Sequence, residues 1–161
     1  MQRLIQVAFV VTIGLALDRA LLVLVNAGVL FQDPLEAYYL ESKFVHLCWR
    51  VQASVPLYPD YRMEPHVANF FAPLYFLIVG GIGRLLDANL EGLIRIARAG
   101  SIVPSVVAAL LVGRAAGSRF GWQAGLLSGL IGLSSAPLIR FGLIARPDVL
   151  AALLGFAGFL G

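Results

Sequence analysis

Charge is what this sequence has least of. Only 13% of its 161 residues are Asp, Glu, Lys or Arg, about half the share carried by a soluble domain. The hydrophobic residues make up 60% and stand in long runs rather than alternating, so a lipid bilayer is the natural solvent. A single cysteine, Cys48, excludes a disulfide within the chain. In a Trp-containing, helix-like run such a cysteine is more often packing than chemistry. The two histidines are His46 and His66. His46 and Cys48 are two apart and do not face each other on a helix, which argues against a metal site there. The net charge of +3 comes from arginines scattered singly or in loose pairs between apolar runs. That is the pattern of topology-setting loops, not of a nucleic-acid surface.

What is present is a series of apolar segments around one long polar interval. Residues 4–31 form a first apolar run, long enough to span a bilayer with some tilt. The run is too long, and lacks a small-x-small site, for a cleaved signal peptide. Arg3 before it favours a cytoplasmic N-terminus. Asp18-Arg19 interrupts it, read as a neutralising pair packed against protein or as a lipid-phosphate contact. Later apolar segments cover 70–86 (short, glycine-bearing, spanning or re-entrant), 94–112 and 121–139. Arg114 and Arg119 lie in a loop between the last two. The run 149–161 is too short to cross by itself, and reads as the start of a further span in a longer chain. The expected fold is an all-α, polytopic transmembrane helix bundle forming a single membrane-embedded module over 1–161, with membrane lipid as its surroundings.

The polar interval, 32–69, holds five of the nine acids and both histidines. Asp33-Pro34-Leu35-Glu36 has the form of a helix start: an N-cap aspartate, proline at the first helical position and glutamate completing a capping box. The spacing predicts an amphipathic helix over 34–51 lying on the membrane surface, with Leu40, Phe44, Leu47 and Val51 as its apolar stripe. Pro56, Pro59 and Pro65 then break regular structure. Ionisable groups gathered at the edge of lipid mark this interval as the place for chemistry.

In order and spacing, three motifs carry a resemblance. Asp33-Pro-Leu-Glu36-Ala is similar to the acidic motif in the first extracytoplasmic loop of membrane-embedded GT-C glycosyltransferases. Phe71-Ala-Pro73-Leu-Tyr75 is similar to the aromatic-Pro-Leu-Tyr sequence that opens their next apolar segment. Ala145-Arg146-Pro147-Asp148 resembles the acidic element at a later extracytoplasmic helix end. The group includes protein O-mannosyltransferases and the aminoarabinose transferases of lipid A. Many relatives have adjacent Asp-Glu where this chain has Leu35-Glu36, and their C-terminal half has no counterpart here.

The resemblance implies the N-terminal part of an enzyme of the bacterial cytoplasmic membrane. It would move a sugar from a polyprenyl-phosphate donor to a glycan, lipid or protein acceptor, on the outer face, with inversion and without metal or cofactor. Such transfer needs a carboxylate base and groups that stabilise the departing phosphate. Asp33 or Glu36 is the base; Arg62, His66, Tyr75, Arg146 and Asp148 are the substrate and phosphate contacts. Each also has a plainer role. Asp33 and Glu36 cap a helix, Arg62 joins Asp60 and Glu64 in a solvated cluster, and Tyr75 belongs to an interfacial belt. Two other functions fit the composition: a non-catalytic scaffold or assembly subunit, and a transporter or flippase, which would want ionisable groups facing a mid-membrane pathway.

Overall fold

The computed structural model describes residues 2–33, 41–58, 73–135 and 143–160. Over these residues the chain is all-helical, with six helices and no strand: α1 (Gln2–Gln32), α2 (Glu41–Gln52), α3 (Leu74–Leu85), α4 (Leu90–Phe120), α5 (Trp122–Leu133) and α6 (Pro147–Leu160). Two stretches are long and apolar enough to cross a bilayer. One is Gln6–Gln32 within α1, with mean hydropathy 2.2, and the other is α4, with 1.8. Each 31-residue helix is about 46 Å long, against a hydrocarbon core of about 30 Å.

α2 and α3 form a pair under the N-terminal part of α4. Phe44, Val45, Leu47 and Cys48 of α2 pack with Tyr75, Phe76 and Val79 of α3, Leu93 and Ala97 of α4, and Ala145. Phe44, Leu47 and Val51 of the apolar stripe read from the sequence are therefore spent on α3 and α4, while Leu40 lies outside the described residues. Both helices stop where a residue turns left-handed, Ser54 after α2 and Asp87 after α3. Val55 N–H then returns to Arg50 O, and Ala88 N–H to Gly83 O, satisfying carbonyls that a helix end leaves open. Arg84 of α3 donates to the carbonyls of Val51 and Gln52 and to Ser54 Oγ, so one cation closes the C-terminus of its neighbour.

Cys48 sits at the centre of this pair, and burial pushes its thiol from an ordinary 9.0 up to about 12. Two results are expected. The folded protein resists maleimide at neutral pH and reacts promptly once denatured, because the thiolate is the nucleophile. As pH rises above 9.0 the unfolded chain loses a proton that the folded chain keeps until about 12. Stability should therefore fall across that window. A Cys48→Ala variant that declines equally steeply would assign the loss to another group.

α4 corrects the sequence reading at both ends. It starts at Leu90, capped by the Asn89 side chain on Gly92 N–H, and it takes in as helix the segment with Arg114 and Arg119 that reads as a loop. The glycines there permit contact with α5. A Cβ on Gly113 would meet Gly125 O at 2.9 Å, and one on Gly125 would meet Gly113 O at 2.8 Å and Gly117 Cα at 2.9 Å. Gly121, at φ 91°, makes the abrupt reversal between the two helices. α5 ends at Leu133, short of the predicted 139, and at 12 residues it is about 18 Å long. α3 is equally short. α1 lies against α4 and α5 through Ala16, Ala20, Val23 and Ala27 and leaves most of its surface exposed.

Candidate functional site

The ends of α1, α2 and α6 converge on one arginine in α4. Arg98 is fully buried and Glu41, at the first turn of α2, is 2% exposed. They pair in bidentate fashion, Nε to Oε1 and Nη2 to Oε2, each at 2.8 Å. The remaining amino group, Nη1, donates to the carbonyls of Leu30 and Asp33 at the end of α1. Glu41 Oε1 also accepts from Ala145 N–H at 3.0 Å, just ahead of α6. One charge pair thus ties the end of α1 and the start of α2 to α4 and to the turn before α6, 57 and 104 residues beyond Glu41. A buried ion pair survives only with such geometry and added hydrogen bonds, because each ion alone would carry a desolvation penalty of several kcal/mol.

One turn on, Ser101 fastens the next link. Its hydroxyl accepts from Arg146 N–H at 2.9 Å and donates to Arg146 O at 3.0 Å. Ser101 is fully buried, and its own helix offers Ser105 as a second hydroxyl, bonded back to Ser101 O. The backbone at Arg146 is therefore held at both its polar atoms. Its side chain is largely covered, pairing with Asp148 Oδ2 at 2.6 Å and standing 6.0 Å over the buried Phe44 ring. Asp148 is half exposed. Proline at the first position of α6 and aspartate next to it suit a helix start, where an acid meets the positive end of the dipole.

The sequence-derived site residues divide three ways. Asp33, Arg146 and Asp148 are brought to one end of the assembly, Asp33 by its carbonyl and Arg146 by its backbone. Tyr75 is 2% exposed, and its hydroxyl donates to Ala97 O at 2.6 Å. Its ring packs edge-on to Phe76, so it fastens α3 to α4. Glu36, Arg62 and His66 lie outside the described residues. Among the described residues no three His, Cys, Asp or Glu side chains gather as metal ligands would. Asp18 and Arg19 do not form the packed ion pair that the sequence reading favoured: both are exposed on α1.

Sequence reasoning missed Glu41, Arg98 and Ser101. The signal was present in part. Arg98 lies in an apolar segment, and the only acid in its own helix is Glu91, seven residues away. A buried arginine must find its anion elsewhere. Which acid it finds is a matter of tertiary packing.

A groove of about 630 Å³ opens between α2 and the start of α4, lined by Glu41, Val45, His46, Trp49, Leu90 and Ile94 among others. The His46 and Trp49 rings stack there at 5.6 Å. Gln52 donates to Ala88 O at 2.7 Å, and its amide oxygen faces no donor. A smaller cavity, of about 150 Å³, lies beside Tyr75, Pro147 and Asp148. Compared with known proteins, the chain matches no family's sequence profile, no curated protein and no solved structure.

Proposed function

We propose that this chain is the N-terminal part of a polytopic membrane glycosyltransferase, acting on the outer face of a bacterial cytoplasmic membrane. It takes a sugar from a polyprenyl-phosphate donor and passes it to an extracytoplasmic acceptor. The observation that carries the reading is the Glu41–Arg98 pair. It fixes the backbone at Asp33 and the backbone at Ala145 to one point, so Asp33 and the Arg146–Asp148 turn share one end of the helices. Sugar transfer from a lipid phosphate needs such a gathering: a carboxylate to take the acceptor proton, and a cation for the departing phosphate. Asp33 or Glu36 is the base in this reading. Arg146 meets the phosphate, exchanging its Asp148 partner for the ligand, and arginine's planar fork suits that exchange.

The test is transfer of a labelled sugar from its polyprenyl phosphate by the full-length protein in membranes. Asp33→Asn combined with Glu36→Gln should lower transfer by at least about a hundredfold, with membrane insertion unchanged. Undiminished transfer in that double variant would remove the base from both residues. The second reading is a non-catalytic scaffold, favoured by the commitment of Glu41, Arg98 and Tyr75 to packing. It is the outcome if the intact protein neither transfers the sugar nor binds the lipid phosphate. Movement of the donor across the bilayer without transfer would mark a flippase.

A further inference from the structure

Along its middle, α1 carries four polar side chains that its neighbours do not cover: Thr12, Asp18, Arg19 and Asn26 are all exposed. Thr12, Arg19 and Asn26 recur every seventh residue, and Val11, Asp18 and Val25 stand one place before each. With a helix turning about 100° per residue, Asp18 and Arg19 flank a stripe made of Ala8, Leu15, Leu22 and Val29. That stripe is itself exposed, Leu15 at 64% and Val29 at 62%. It lies on a different face from Ala16, Ala20, Val23 and Ala27, which meet the rest of the fold. Gly14, beside the stripe, has nothing within 4 Å of where a Cβ would be. Among the described residues neither Asp18 nor Arg19 has an ion-pair partner.

A seven-residue repeat of this kind is the seam of a left-handed helix pair. The charges decide what fills it. In two parallel helices related by a two-fold axis, opposite flanks of the seam meet. Asp18 of one copy then faces Arg19 of the other, and the reciprocal pair forms across the seam. The face is complementary to itself, and an uncompensated acid and arginine in the middle of an apolar helix are costly in lipid. We propose that α1 joins two copies of this chain in parallel, with two reciprocal Asp18–Arg19 pairs closing the seam. The inference rests on α1 crossing a bilayer, as the proposed function requires, and on no part of the sugar chemistry.

Two measurements on the full-length protein test it. Alkaline extraction of membranes comes first: retention is expected, and release would overturn the membrane reading together with this one. Subunit counting in dilute bilayers comes second. Asp18→Arg and Arg19→Asp alone should each weaken the dimer by about tenfold, and the double exchange should restore it. A double exchange as weak as either single variant would mean that a helix with fixed charges covers the face, and a retained but monomeric protein would equally overturn the dimer. Should the single variants fail to accumulate, cysteines in the native charge background decide. Leu22→Cys, in the seam, should cross-link at least about tenfold faster than Leu24→Cys, which is exposed on another side of α1; equal rates would overturn the proposal. The native Cys48 is buried and does not interfere.

Discussion

Replacing Glu41 by alanine should cost about 3–5 kcal/mol of stability, because it strands the Arg98 guanidinium in the interior and removes the acceptor of Ala145 N–H. Arg98→Ala should cost as much, since it leaves Glu41 buried with a charge and also frees the carbonyls of Leu30 and Asp33. The informative experiment is the double replacement, Glu41→Leu with Arg98→Met. Two apolar side chains of similar volume remove both desolvation penalties, so the pair variant should be more stable than either single one. On area alone it would equal the native protein, but three backbone groups lose their partner, and that deficit should show as about 1–3 kcal/mol. Thermal unfolding in one detergent measures all four proteins. A double variant no better than the two singles would mean that the pair contributes through position and not through charge.

The second large effect belongs to a glycine. Gly80 of α3 faces α2 so closely that a Cβ would lie 2.5 Å from Cys48 O and 2.6 Å from Val51 Cβ. The first of these is backbone, so α2 and α3 must part to admit even a methyl group. Gly80→Ala should destabilise by about 1–3 kcal/mol, the usual result of overpacking. It should also expose the Cys48 thiol, turning slow maleimide labelling into fast. Its neighbour is the control. A Cβ on Gly81 meets nothing within 4 Å, and Gly81→Ala should stabilise by up to about 1 kcal/mol through helix propensity. Equal behaviour of the two variants would contradict the close crossing of α2 and α3.

These contrasts explain which parts of the fold could be read from the sequence. α1 is legible because nothing interrupts its apolar run except Asp18-Arg19, and a charge pair does not end a helix. α4 was cut short at its C-terminal end for the opposite reason. Gly113, Gly117, Arg114 and Arg119 look like loop chemistry, yet the glycines serve contact with α5 and the arginines ride on the outside of a continuous helix. The stripe Phe44, Leu47 and Val51 was legible as a stripe, but a periodic pattern names a buried face without naming what buries it. Of the site, Arg146 and Asp148 were visible through their proline-bearing turn. Glu41 was not, because its role comes from Arg98 and Ala145, which are 57 and 104 residues away. The contact of Tyr75 with α4 was not legible, since an aromatic at an apolar edge looks the same whether it faces sugar or a neighbouring helix.

Those separations also set a clock. Chains grow at about 5–20 residues per second, so Arg98 leaves the ribosome roughly 3–11 s after Glu41. Ala145 follows roughly 5–20 s after Glu41. Until they emerge, Glu41 lacks the guanidinium of Arg98 and the N–H of Ala145 that it binds in the finished protein. The bidentate pair can therefore close only after α3 and the first part of α4 are made. That closure is a late event in biogenesis, timed by the emergence of a single arginine.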